Sequence, residues 1–352
     1  MSGNIPTIPI NLALQGGGAH GAFTWGVLDA LLEDGRFSFE GVSGASAGAM
    51  NAACLAHGLL QGGREGARRA LADFWLAVAD AAPPSFAVGP ALNMAPAMKM
   101  MLQWTSHLTP EQINPFDLNP LRDVNEAQID FAGLREHSPV KLFIAATHAN
   151  SGKLRLFRDS ELTADMLLAS ACLPTLHRTI HLAGEPYWDG GYSANPAVCP
   201  LVYHCRSADI LLVLLTPLHF SETPEGAKEI RARLNELAFN STFLREMRMF
   251  AHLRDQIGSA PLPDSLPASL FASLLDRLPL ARLERRLAGL RFHAISADSV
   301  LGELPSDSKL NVNREFFLEL HAVGRAAARR WLAAHGDAPG QRPTLDLGKL
   351  FY

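Results

Sequence analysis

Twice near its N-terminus this chain stops a short apolar run at a glycine-bearing turn and starts a helical pattern at once. Residues 9–15 read as a buried strand that ends at Gly16-Gly17-Gly18. Phe23, Val27, Leu28, Leu31 and Leu32 then recur at helical spacing, and Glu33-Asp34-Gly35 closes that helix. A second strand near Phe39 to Val42 runs into Gly44-Ala45-Ser46-Ala47-Gly48, followed by a small-residue helix that ends around Gly58. Strands joined through helices return parallel to one another. Two such units in succession therefore commit this end of the chain to a parallel sheet covered by helices.

The rest of the chain continues the pattern. Lys141 to His148 predicts a strand, Asn150-Ser151-Gly152 a turn, and Lys153 to Phe157 its partner. Thr163 is placed to cap a helix running toward Cys172, with Pro174 as its stop. Thr179 to Leu182 and Tyr187 to Asp189 suggest a hairpin, and Asp209 to Leu215 another buried strand. Two helical stretches, about 222 to 257 and 268 to 289, flank a proline-rich loop from Pro261 to Pro267. Phe292 to Ser296 reads as a last strand and Val312 to His335 as a closing helix. The expected fold is α/β, a three-layer α/β/α sandwich with a mostly parallel central sheet and a mainly helical C-terminal extension. The expected division is a catalytic domain at 9–205, a C-terminal portion at 206–340 whose strands join the sheet, and a tail at 341–352.

Between Pro83 and Pro120 proline, asparagine and methionine accumulate, and Met94, Met98, Met100 and Met101 fall close together. This predicts a cap or lid at 83–120. The stretch from Met94 to Trp104 suits an adaptable acyl-binding wall, with ordinary core packing as the competing account.

Charge and cysteine usage exclude several classes. Lys and Arg number 31 against 35 Asp and Glu, for a formal charge of −4 without long runs of one sign, so no nucleic-acid partner is expected. The four cysteines lack C-x-x-C pairs and no leader-like apolar stretch opens the chain, which predicts reduced thiols in a cytoplasmic protein. No calcium loop or metal-ligand cluster is visible, so neither metal nor cofactor is expected. Ile210 to Leu215 falls far short of the roughly 20 apolar residues that span a bilayer, so membrane contact is expected to be peripheral, at the inner membrane surface. Arg282, Arg285, Arg286 and Arg291 among Leu283, Leu287 and Leu290 form a basic amphipathic pattern suited to anionic headgroups. The same pattern also fits a solvated face on a core-packed helix, as does the run Arg245, Arg248, Arg254.

A serine hydroxyl is a poor nucleophile. It must be presented on a sharp turn, relieved of its proton, and faced by donors for the charge that appears on the substrate. Gly44 and Gly48 flank Ser46 without side chains, which lets a strand reverse into a helix and leaves the hydroxyl at the tip. The helix beginning at Ala47 points its positive end at that hydroxyl. Gly16, Gly17 and Gly18, continued by Ala19, let backbone amides approach a developing oxyanion directly. Turns at the carboxyl ends of neighbouring parallel strands lie side by side, where open α/β sheets build their sites.

In order along the chain, Gly16-Gly17-Gly18-Ala19-His20-Gly21, Gly44-Ala45-Ser46-Ala47-Gly48 and Asp189-Gly190-Gly191 resemble the motifs of patatin-like phospholipases, over a little more than half of the sequence. The resemblance implies a patatin-like fold and a Ser-Asp dyad without histidine: Ser46 attacks the ester, Asp189 takes its proton, and the glycine amides hold the oxyanion. It also implies a lipid or other acyl-ester substrate and an acyl-serine intermediate. Ser170-Ala171-Cys172-Leu173-Pro174 resembles a small-residue block that precedes the aspartate in that family, and carries no catalytic role in this reading. At His20 the family more often has Lys or Arg, and a solvated first-turn residue is the plain alternative for it here.

Aspartate, with an ordinary pKa near 3.9, is a feeble base for a hydroxyl, so Asp189 needs desolvation, which Trp188 and Tyr192 are placed to supply. Two other readings stay open from the sequence alone. One is a Ser-His-Asp esterase using a later imidazole such as His219 or His293. The other is a non-catalytic lipid-binding or scaffold protein of the same fold.

Overall fold

The computed structural model describes residues 7–81, 109–114, 119–220, 222–259, 279–302 and 304–351. The cap expected at 83–120, including Met94 to Trp104, lies outside them except for 109–114 and 119–120. So do the loop Pro261 to Pro267 and the start of the second predicted helical stretch.

Eight strands among the described residues form one sheet: β1 (Ile8–Leu14), β2 (Phe37–Ala45), β3 (Lys141–His148), β4 (Leu154–Arg158), β5 (Ile180–Leu182), β6 (Glu185–Asp189), β7 (Asp209–Leu214) and β8 (Arg291–Ser296). Their order is β5-β6-β3-β2-β1-β7-β8, with β4 also on β3. β1, β2, β3, β7 and β8 run parallel, and β4, β5 and β6 pair antiparallel. The central strands are apolar on both faces because both are covered. Ile10, Leu12 and Leu14 enter one core while Ala13 enters the other.

On the first face lie α1 (Gly21–Asp34), α2 (Ala47–Asp80) and the closing helix, called α5 here (Arg314–His335). The second face carries α4 (Ala227–Ser259) with the short helices Cys199–His204, Pro279–Ala288 and Leu347–Phe351. One further helix, α3 (Ala164–Ser170), begins at Thr163, whose hydroxyl accepts the Met166 amide as predicted. The closing helix sits directly on α1: a Cβ on Gly324 would stand 2.1 Å from the Phe23 carbonyl oxygen. Asp29 of α1 locks this contact through Arg68, His321 and Arg325. Burial works against its charge, but these partners hold its pKa below the usual carboxylate range.

One boundary differs from the sequence reading. The helix after Ser46 does not end at Gly58. It continues to Gly62 and Gly63, which leave helical geometry, and resumes to Asp80. Gly58 permits a close approach instead of a stop, since a Cβ there would lie 2.3 Å from the Ala67 Cα in the returning half.

Pairing along β3 places the site. β4 occupies one edge over Phe143 to Thr147, so β2 and β6 share the other. β2 holds that edge until Ala45 meets Ala145, and β6 takes over where Asp189 meets Ala146. The residue after Ala45 and the last residue of β6 are thus brought together end to end.

Candidate active site

Ser46 stands between β2 and α2 with φ 53° and ψ −124°, a left-handed conformation that an L side chain rarely adopts. Helix formation starts on it at once, as the amides of Ala49 and Met50 donate to its carbonyl at 2.9 and 3.2 Å. Its own amide donates to the Ser170 carbonyl at 3.2 Å and to the Ser170 hydroxyl at 3.0 Å. The side chain is half-buried. Gly48 allows this turn to pack down, since a Cβ there would stand 2.2 Å from the Leu14 carbonyl oxygen, and Gly44 faces Gly48 equally closely.

Asp189 is 1% exposed. Burial raises its pKa to about 7, opposed by the hydrogen bond from the Gly191 amide, 2.7 Å from Oδ1, and by the nearby Ser46 hydroxyl. Its amide donates to the Cys172 carbonyl at 2.8 Å and its carbonyl accepts the Thr147 hydroxyl at 2.8 Å. Gly190 follows under the Ala145 carbonyl, and Gly191 under the ring of Phe239. Phe239 packs on Tyr192 with 4.4 Å between ring centroids. Tyr192 and Phe239 of α4 thus cover the Gly191 side of this turn, and the Trp188 indole donates to the Thr179 hydroxyl at 3.0 Å.

The other glycine turn touches the serine. A Cβ on Gly16 would lie 2.8 Å from that of Ser46. The Gly16 amide is committed to Asn195 Oδ1 at 2.7 Å. The amides of Gly17, Gly18 and Ala19 meet no acceptor among the described residues, and Gly17 and Gly18 reach solvent. Gly18 has φ 58°, and a Cβ on it would strike the Lys309 carbonyl oxygen.

His20 is buried, not solvated. Burial, aided by the charge of Lys309, lowers its pKa to about 3, so the imidazole is neutral; Nε2 lies 2.8 Å from the Ser308 hydroxyl. His293 is also buried, but bonds Asp209 and Thr344, and Asp209 opens β7 at the end of the sheet away from Ser46. His219 is exposed. Among the described residues, no imidazole shares a hydrogen bond with Ser46 or Asp189.

Within the basic pattern near 282–291, Arg286 and Arg291 are engaged inside the protein. Arg286 donates to the carbonyls of Val202, Cys205, Arg206 and Ser207, and Arg291 pairs with Asp209. Leu287 and Leu290 belong to the core. No helix among the described residues is long and apolar enough to cross a membrane.

Sequence reasoning missed the supports of this site. Ser170 holds the Ser46 amide and Cys172 the Asp189 amide, so one small-residue segment braces both. The Ser170-Ala171-Cys172 block was the available signal. Asn195, Asn240 and Phe239 carried none.

The family model for patatin-like phospholipase matches residues 12–201. No curated protein sequence matches the chain. Among solved structures it is similar to VipD from Legionella pneumophila, at 15% identity over 94% of this chain and 67% of that one, with a TM-score of 0.42. It is also similar to the heterodimeric ExoU-SpcU complex from the type III secretion system of Pseudomonas aeruginosa, at 16% identity, 94% and 60% coverage, and a TM-score of 0.30. This chain thus spans 60% of the latter's length, and likeness at that level bears on neither activity nor partners. The family match covers more than half of the 352 residues, and the chain belongs to the patatin-like phospholipase family.

Proposed function

We propose that this protein hydrolyses acyl esters of lipids through an acyl-Ser46 intermediate, with Asp189 as the sole proton acceptor. The observation that carries the reading is a fully buried carboxyl, its pKa raised to about 7, with the hydroxyl of a strained, half-exposed serine beside it and no imidazole bonded to either among the described residues. An acid so placed is roughly half ionised at pH 7 and takes a proton more readily than a solvated aspartate.

In the first step Ser46 Oγ bonds to the ester carbonyl carbon as its proton passes to Asp189. The carbonyl π electrons move onto oxygen, where the amides of Gly17, Gly18 and Ala19 are available to hold the charge. Collapse breaks the bond to the leaving alkoxide, which takes the proton back from Asp189. Water then repeats the sequence on the acyl-serine, releasing the fatty acid. The N-terminus of α2 adds its positive end at Ser46 throughout. The lipid substrate implies peripheral contact with a lipid surface.

Fluorophosphonate labelling followed by peptide mapping tests the assignment. Label is expected on Ser46, with labelling and p-nitrophenyl butyrate turnover both lost in Ser46→Ala. Labelling elsewhere, or turnover surviving Ser46→Ala, would sink it.

A further inference from the structure

We propose that Asn195 is a positioning residue for the oxyanion turn, fixing Gly16 so that the amides following it face the acyl carbonyl at Ser46. The inference rests on the reading of Ser46 and Asp189 given above. Asn195 is 2% exposed, and its side-chain amide grips Gly16 from both sides: Oδ1 accepts the Gly16 amide at 2.7 Å, and Nδ2 lies 3.5 Å from the Gly16 carbonyl. The residue before the turn is held as firmly. Gln15 Nε2 donates to the Asn195 carbonyl at 3.3 Å and to Asn240 Oδ1 at 3.0 Å, while Gln15 Oε1 accepts the amides of Leu215 and Thr216 at 2.6 and 2.9 Å.

Asn195 also shares a loop with Asp189. After the aspartate the chain makes a single tight turn, with the amides of Ser193 and Ala194 donating to the Gly190 carbonyl at 3.0 and 2.8 Å. One short, internally bonded loop therefore carries the base at its start and holds the donor turn at its end. The spacing between proton acceptor and oxyanion donors is set by that loop as well as by the sheet.

Asparagine suits this task because its amide offers an acceptor and a donor at once and adds no charge. An aspartate of the same shape would set a carboxylate against the oxyanion. Donors of this kind act through preorganisation, and a misaimed one costs about 10² to 10³ in kcat while leaving ground-state binding intact.

Asn195→Ala and Asn195→Asp should be compared with wild type in the full chain, on p-nitrophenyl butyrate and against a trifluoromethyl ketone, which forms a charged adduct on the serine. Asn195→Ala is expected to lower kcat by about 10²-fold with KM within about threefold. The ketone should lose affinity by the same factor, and the pH midpoint set by Asp189 should stay in place. Asn195→Asp should lose at least about tenfold in kcat, more as pH rises and the added carboxylate ionises. A folded variant of either kind with kcat within about threefold of wild type overturns the proposal, as does a loss carried by KM alone. If circular dichroism shows that Asn195→Ala does not fold, Asn195→Asp decides. Failure of wild type to label with fluorophosphonate overturns both this inference and the reading beneath it. Normal labelling beside an unimpaired Asn195 variant overturns this inference alone.

Discussion

Replacing Asp189 with asparagine should destroy activity and raise stability at the same time, with the gain depending on pH. Burial lifts this carboxyl from the ordinary 3.8 to about 7. In the window between those values the folded state keeps a proton that the unfolded chain gives up, so stability falls as pH rises through it. Below about pH 4 both states are protonated and the penalty vanishes; above about pH 7 both are ionised and it is complete. About three pKa units at 1.4 kcal/mol each give about 4 kcal/mol near pH 8.5, against about 1 kcal/mol near pH 4.5. Asparagine mimics the protonated acid: its oxygen accepts the Gly191 amide and its nitrogen donates toward Ser46. Urea unfolding of both proteins should therefore show Asp189→Asn the more stable, by a margin that grows by about 3 kcal/mol between those two pH values. Turnover should fall by about 10² to 10⁴-fold with loss of the base. A margin that stays flat with pH would mean that Asp189 is not held protonated by burial. Retained turnover would mean that it is not the base.

Wild-type kcat/KM should fall about tenfold per pH unit below a single midpoint near 7, read on p-nitrophenyl butyrate; a midpoint below about 5 would assign the proton to a solvated carboxyl. Ser46→Gly should abolish labelling yet stabilise the fold by about 1 kcal/mol, because glycine adopts φ 53° without strain; thermal unfolding reads this, and a drop in stability would refute it. His293→Ala should leave fluorophosphonate labelling at wild-type rates while costing about 2 kcal/mol in urea unfolding, since Asp209 loses a buried partner; loss of labelling in a folded variant would instead make this imidazole catalytic.

The sheet was legible because its central strands are buried on both faces: β1 and β7 read as apolar runs, and the glycine turns after β1 and β2 mark their ends. Ser46 could be picked out from residue types alone. Asp189 could not, since Asp-Gly-Gly is an ordinary turn sequence and only the resemblance singled it out. Gly58 read as a stop because a glycine that ends a helix and one that lets a neighbour approach look the same in sequence; Ala67 decides between them, and it is distant in pattern terms. The arginines near 286 leave two readings open, a headgroup-facing surface and a solvated face on a core-packed helix, and Leu287 and Leu290 in the core favour the second. The acceptors of Arg286 are main-chain carbonyls of another segment, and every residue type has one of those.

Least legible of all is what joins the pair. A parallel strand and an antiparallel strand share one edge of β3, and their carboxyl ends run head-on into each other between Ala145 and Ala146. Ser46 and Asp189 meet because each is where its strand must turn aside. A slip of β6 by one residue would carry Asp189 about 3.3 Å along that edge and turn its side chain to the opposite face. The approach of Asp189 to Ser46 thus depends on the register of a strand only five residues long. That register is held by the Ala149 amide on the Pro186 carbonyl, the Thr147 hydroxyl on the Asp189 carbonyl and the Asp189 amide on the Cys172 carbonyl. Behind β6 the chain closes a hairpin with β5, where Leu182 pairs with Glu185 across Ala183 and Gly184, at φ 51° and 85°. Two successive left-handed residues make the tight turn whose twist matches a hairpin. The second is a glycine, and the first is an alanine held there against its preference. The carboxyl is accordingly brought to the serine by what β3 and Cys172 hold, and the turn at Ala183 only closes the hairpin behind it.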